Sequence, residues 1–211
     1  MSPARGSPGV CFVTDRSAIG GRPLLEVVRG AIAGGAAIVQ VREKDLGGAA
    51  LLEIAREAVE AAKSAGDRCR VVVNDRLDIA LAARASGVHL PADGLPIGAV
   101  RRCAGKRFLV GRSVHGLSQA RQAEKEGADY LIVGPVFGTP SKASFGPPLG
   151  PATLRKVVES ARIPVWAIGG IDASTAAELK SIPLAGVAVI RAIAMAPDPS
   201  EAVRSLRAAL A

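Results

Sequence analysis

A single-domain TIM (β/α)8 barrel is the fold the sequence predicts, and three observations predict it. Short apolar, β-rich runs alternate with helical stripes along all 211 residues. Five of those runs end in a burst of polar residues: 38–41 runs into Arg42, Glu43, Lys44 and Asp45; 71–73 into Asn74, Asp75 and Arg76; 108–110 into Gly111, Arg112 and Ser113; 131–133 into 134–142; and 165–168 into Gly169 and Gly170. That is the pattern of an α/β enzyme whose site lies at the carboxyl ends of parallel strands. The strand and helix units also number eight, in a length that suits one compact barrel.

The units follow in order. Residues 10–14 alternate and are rich in β-formers, giving the first strand; 23–30 carry Leu24, Leu25, Val27 and Val28, with a stop at Gly34 and Gly35. Residues 38–41 form the second strand. From 48 to 66, Leu51, Ile54, Ala55, Ala58, Val59 and Ala62 share one helical stripe before a Gly cap. Strands at 71–74 and 87–90 precede helices at 77–83 and 97–104, and a fifth strand at 108–111 precedes a helix over 118–126. The sixth strand, 130–134, leads into the longest loop, 135–150, rich in proline and glycine; long ordered loops in compact domains usually carry function. Leu154, Val157, Val158 and Ala161 make the next helical face. Strands at 164–168 and 186–190, with helices at 174–180 and 199–210, complete the set. A doubly wound open sheet is the alternative, because periodicity does not prove closure. No linker or low-complexity tract marks a second domain.

Composition narrows the function classes. The net charge is +8, but the basic residues are scattered among acids and aromatics are only 3%, so base-stacking surfaces are lacking and nucleic acid is not expected as a partner. A positive field fits anionic small molecules, phosphates above all. The three cysteines, Cys11, Cys69 and Cys103, are far apart with no CxxC, which suggests neither a disulfide framework nor a zinc site and fits reduced thiols in the cytoplasm. No apolar run approaches the ~18 residues of a membrane span. A homo-oligomer is compatible with the sequence.

The chemistry sits at the strand ends. Gly169 and Gly170 after the seventh strand, and Ile190 and Arg191 after the eighth, hold the phosphate position of this fold, although two glycines can equally make a plain tight turn. Gln40, Arg42 and Lys44 alternate with Val41 and Glu43, so strand geometry points an amide and two cations toward the mouth. Arginine grips phosphate oxygens bidentately and lysine acts as a point charge, a set that suits a diphosphate; a solvated charged loop is the bland alternative. Asn74 and Asp75 offer oxygen ligands for Mg2+, or in Asp75 a cap for the following helix.

Together with Thr139, Pro140, Ser141 and Lys142, these residues resemble one family. The stretches QVREKD (40–45), NDRLDIAL (74–81), GVHL (87–90), GRSVH (111–115), GPVFGTPSK (134–142) and AIGGI (167–171) are similar to the thiamine phosphate synthase and TenI family, over nearly the whole chain. The resemblance implies that Gln40, Arg42, Lys44, Asn74 and Lys142 bind hydroxymethylpyrimidine diphosphate and that Asp75 holds Mg2+. It sets Ser113, Thr139, Ser141 and Gly170 against the pyrimidine, the diphosphate or the thiazole phosphate, with Ile190 and Arg191 beside that phosphate. The implied reaction loses diphosphate from the pyrimidine methylene and captures the resulting cation with the thiazole nitrogen.

Two positions depart from the family pattern. Synthases read HLGQ-x-D after the fourth strand and use the Asp as a second Mg2+ ligand, whereas here His89 and Leu90 are followed by Pro91, Ala92, Asp93 and Gly94. The expected Asp is Gly94, which leaves Asp93 as the substitute. Arg191 stands where the family has a small residue. The HLP wording resembles the TenI branch, which isomerises a thiazole carboxylate phosphate and for which His115 is the acid/base candidate. QVREK, NDR and TPSK point to the synthase, since a tautomerase has no diphosphate to hold. A silent phosphate-binding regulator is the reading outside enzymology. His89, inside an apolar strand, reads as a satisfied interior residue.

Overall fold

The structure is a computed structural model that describes residues 8–138 and 147–211. Eight parallel strands run in chain order: β1 Gly9–Val13, β2 Ile38–Val41, β3 Arg70–Asn74, β4 Gly87–Leu90, β5 Leu109–Val114, β6 Tyr130–Val133, β7 Val165–Ile168 and β8 Gly186–Val189. Each pairs with the next, and β1 pairs with β8 through Val10 opposite Val187 and Phe12 opposite Val189, so the barrel is closed. Closure removes the doubly wound alternative.

The helices are α1 Leu24–Ala33, α2 Gly48–Ser64, α3 Leu77–Ala82, α4 Ile97–Ala104, α5 Leu117–Lys125, α6 Gly150–Ser160, α7 Ala173–Glu178, α8 Arg191–Ala194 and α9 Pro199–Leu210. In α2 the expected stripe is the buried face, with Leu51, Ala55, Ala58, Val59 and Ala62 turned to the sheet. Two elements went unforeseen. A 3-10 turn at Arg16–Ala18 follows β1, and the four-residue α8 follows β8 directly. Strand β5 also runs to Val114, beyond the expected 111, so Arg112 and Ser113 lie within the sheet.

Alternation along each strand sorts the side chains. Outward residues such as Val10, Phe12, Val39, Val71 and Val73 pack under the helices in the main apolar cluster. Inward residues Cys11, Val13, Ile38, Val72, Tyr130, Ile132, Trp166 and Ala188 fill the barrel interior. Above them, at the carboxyl ends, the inward positions turn polar: Gln40 on β2, Asn74 on β3, His89 on β4 and Ser113 on β5. The interior below is packed with side chains, so any ligand must sit on this polar layer. No helix among the described residues is long and apolar enough to cross a membrane.

Candidate functional site

Gln40 is buried at 3% exposure, and its Nε2 donates to Asn74 Oδ1 at 3.0 Å. That bond fixes the amide flip and leaves Gln40 Oε1 as a buried acceptor with no partner among the described residues. A buried acceptor left unpaired is costly, so the position is prepared for a donor from a ligand. Beyond β2 the alternation persists for one more pair: Arg42 is half-buried, Glu43 is buried and Lys44 is exposed. Neither Arg42 nor Lys44 has a hydrogen-bond or ion-pair partner through its side chain among the described residues.

Those two cations are held in place from behind. The Arg42 amide donates to Thr14 Oγ1 at 2.9 Å, and Thr14 is fully buried. Glu43 is buried on the other side of the chain, where its Oε2 accepts from the Arg16 amide at 3.0 Å and pairs with Arg16 Nε at 3.4 Å. Asp45 takes the other end of the same guanidinium at 2.7 Å. This clasp ties the loop after β2 to the turn after β1. Sequence reasoning missed it, because its partners lie 27 and 29 residues apart. The one available signal was the acid placed between two cations in QVREKD.

Asp75 ends β3 in a left-handed conformation, φ 63°, with its amide bonded to the His89 carbonyl at 2.8 Å. Asp tolerates that region better than most residues, and such backbone is concentrated at functional sites. Its carboxylate is exposed and accepts no hydrogen bond among the described residues. Asp93 is exposed as well, on a turn closed by Gly94 N to Pro91 O at 3.0 Å. A Cβ at position 94 would lie 2.7 Å from Pro91 Cδ, so the family's Asp cannot stand in this turn as it is built. Arg112 locks the turn from below, donating to the carbonyls of Pro91 at 2.7 Å and Leu95 at 2.8 Å. Among the described residues no group of three His, Cys, Asp or Glu converges to hold a metal unaided.

His89 is indeed a satisfied interior residue. It lies 3.2 Å from the Tyr130 hydroxyl through Nδ1 and 2.9 Å from Ser113 Oγ through Nε2. Burial, aided by the positive charge of Arg112, pushes its pKa down to about 3. The ring is therefore neutral at physiological pH. Burial likewise pushes the Tyr130 phenol up, helped by Cys11 and Asp129. His115 follows β5 and is exposed; its Nδ1 lies 2.6 Å from the Gly134 carbonyl, which can only accept, so the proton is on Nδ1. That bond orients the ring at the end of β5.

The opposite rim is backbone. Gly169 and Gly170 have φ of 104° and 64°, and a Cβ on Gly169 would lie 2.6 Å from Pro135 Cα. The chain leaving β6 rests on them, with Val136 N bonded to Ile168 O at 2.9 Å and Phe137 N to Gly169 O at 3.0 Å. The amides of Gly170 and Ile171 donate to no acceptor among the described residues. Ile190 caps α8, and Arg191 opens it from an exposed position. Thr139, Ser141 and Lys142 lie outside the described residues. Two open clefts of about 580 and 440 Å3 lie instead among α1, α2 and α3, lined by residues such as Arg56, Glu60 and Lys63, away from the strand ends and from every group above.

A closed barrel with cations, an unpaired amide oxygen and donor-rich backbone around one mouth defines a TIM-barrel protein built for small phosphorylated anions. Comparison with known proteins makes the assignment specific. The chain belongs to the thiamine monophosphate synthase family, whose model matches residues 10–193. It is 45% identical to the thiamine-phosphate synthase of Moorella thermoacetica, over 89% of each chain. It is 41% identical to that of Roseiflexus castenholzii, over 93% of this chain and 86% of the relative. Among solved structures it is similar to thiamine phosphate pyrophosphorylase from Pyrococcus furiosus, with a TM-score of 0.88 and 36% identity, covering 98% of this chain and 96% of that one.

Proposed function

We propose that this chain is a cytoplasmic thiamine-phosphate synthase, a transferase that joins hydroxymethylpyrimidine diphosphate to thiazole phosphate and releases diphosphate. The observation that carries the reading is the buried Gln40 Oε1 beside Asn74, which, like the side chains of Arg42 and Lys44, has no partner among the described residues. An aminopyrimidine supplies the missing donor through its amino group, and its diphosphate falls to Arg42 and Lys44. The tautomerase alternative uses neither feature, and the curated relatives at 41 and 45% identity carry the synthase name.

In this reading the C–O bond between the pyrimidine methylene and the diphosphate breaks first, and the diphosphate leaves with the electron pair. The amino-substituted ring delocalises the resulting cation. The thiazole nitrogen then gives its lone pair to the methylene carbon, forming the C–N bond without loss of a proton. No covalent nucleophile or general base is required, so the protein's contribution is position and charge. Arg42 and Lys44, with Lys142, stabilise the charge gathering on the departing diphosphate. Gln40 and Asn74 orient the pyrimidine, and Ser113 offers a hydroxyl at the same level. Gly169, Gly170, Ile190 and Arg191 seat the thiazole phosphate, with Thr139 and Ser141 contributing further hydroxyl contacts.

Mg2+ fits this donor set. The Asp75 carboxylate has its oxygens open, and Mg2+ is usually held by one or two carboxylates together with substrate phosphates and water. Asp75 would hold it, with Asp93 as the second oxygen donor, and the ion would supply further neutralisation of the diphosphate. The test is direct. Purified protein given both substrates and Mg2+ should form thiamine phosphate and diphosphate in equal amounts, and chelation should stop it. Folded protein that binds both substrates and forms neither product would contradict the proposal.

A further inference from the structure

At the seam between the two rims a chain of three side chains leads from the barrel interior to the mouth. Tyr130 is 3% exposed, and its hydroxyl has one hydrogen-bonding neighbour among the described residues, His89 Nδ1 at 3.2 Å. His89 is 1% exposed and reaches Ser113 Oγ through Nε2 at 2.9 Å. The phenol and imidazole rings approach with centroids 5.6 Å apart. Gly111 makes the approach possible. A Cβ there would land on Tyr130 Cζ and lie 2.5 Å from both His89 Nδ1 and the Tyr130 hydroxyl.

Only one polarity of this chain satisfies every buried proton. If Nδ1 carried the imidazole proton, it would donate to Tyr130, and the phenolic O–H would be left buried with no acceptor, a costly arrangement. With Tyr130 donating instead, Nδ1 is the acceptor and the proton of the neutral ring sits on Nε2. Nε2–H then donates to Ser113 Oγ. The Ser113 hydroxyl, its acceptor side engaged, is left to donate outward, where Ser113 is partly open to the mouth. A hydroxyl whose O–H is held ready to donate outward favours an anion.

We propose that Tyr130 and His89 are positioning residues that fix the Ser113 hydroxyl as a hydrogen-bond donor to the diphosphate of the bound pyrimidine substrate, with Gly111 as the gap that lets them meet. The identity of the anion rests on the synthase reading; the polarity of the chain does not.

The chain contains two histidines, so selective 15N labelling of histidine yields two rings, and His115→Asn assigns them. In the unliganded protein at neutral pH, the His89 ring should show a protonated Nε2 and a bare, hydrogen-bonded Nδ1. A protonated Nδ1, or an imidazolium, would overturn the proposal whether or not the protein turns over. The kinetic arm uses Tyr130→Phe, which removes the phenol that fixes the ring proton on Nε2, so that the direction of the bond between Nε2 and Ser113 is no longer set. Its kcat should fall about tenfold, the worth of one hydrogen bond to a charged group, with KM for thiazole phosphate unchanged. Tyr130→Phe combined with Ser113→Ala should be no slower than Ser113→Ala alone, because both act through one hydroxyl. Independent, multiplying losses would contradict the relay. Absence of any synthase activity with the expected Nε2–H tautomer would instead count against the synthase reading alone.

Discussion

On the β2–β3 side of the mouth the groups proposed to meet a ligand are side chains, Gln40, Arg42, Lys44, Asn74 and Asp75, whereas on the β6–β8 side the proposed contacts are backbone, at Gly169, Gly170 and the start of α8. The two sides fail differently. A side chain can be removed from the first with the strand beneath it intact, because the Arg42 and Lys44 side chains make no hydrogen bond or ion pair among the described residues. On the second, the ligand-facing atoms are the fold, and Gly169 is pressed against Pro135 while Gly170 lies under Phe137 and Gly138. Chemistry can be tuned on one rim without cost to stability. On the other, recognition and packing change together.

That contrast can be broken at several points. The largest effect is expected at Gly169→Ala, which forces a side chain into φ 104° and into Pro135. Strain at such a position is worth about 1–3 kcal/mol, or a fall in Tm of roughly 2–4 °C per kcal/mol in a chain of this size. Thermal unfolding and thiazole phosphate binding should fall together. Next is Arg42→Ala, expected to lower kcat on the order of 10²-fold, as for one preorganised donor to a developing anion, with Tm unchanged. If Arg42→Ala destabilises as much as Gly169→Ala, the division between the rims is wrong. Thr14→Val should be milder on both counts. It removes the acceptor for the Arg42 amide, costing about 1 kcal/mol, and should lower kcat/KM less than loss of Arg42 itself.

A smaller effect sharpens the seam between the rims. His89 stays neutral in the folded barrel down to about pH 3, while the unfolded histidine takes a proton near its ordinary value of 6.5. The unfolded state therefore binds more protons between those values, and stability should decline as pH falls from 6.5. Urea midpoints compared at pH 6.5 and 4.5 should drop for the wild type, and His89→Gln should flatten that interval. The smallest effect concerns thiols. Cys103 is exposed, whereas Cys11 and Cys69 are buried and burial pushes both thiols up, Cys69 to about 12. One thiol should react with a mild alkylating reagent in the folded protein and three after unfolding.

The same contrast explains what could be read from the sequence. Strands were legible within a few residues, because alternating apolar runs closed by polar bursts depend on local periodicity. The place of Gln40 beside Asn74 at the end of β2 was legible for the same reason. The four residues of α8 are too few to carry a periodic pattern, and the length of β5 was hidden by Arg112, a charge that the barrel buries against the carbonyls of the loop after β4. Long-range pairings were illegible in principle. The Arg16 clasp on Glu43 and the chain from Tyr130 through His89 to Ser113 depend on strand register and closure, which no window of sequence contains. Gly111, read from the sequence only as the end of the fifth strand, is the gap that lets the second form.

The division of labour at the mouth is tested most directly by titrating hydroxymethylpyrimidine diphosphate and thiazole phosphate separately into wild-type protein and Arg42→Ala by calorimetry. The expected result is loss of affinity for the diphosphate substrate, about tenfold or more, with thiazole phosphate binding unchanged. Equal weakening of both ligands, or of neither, would contradict the account.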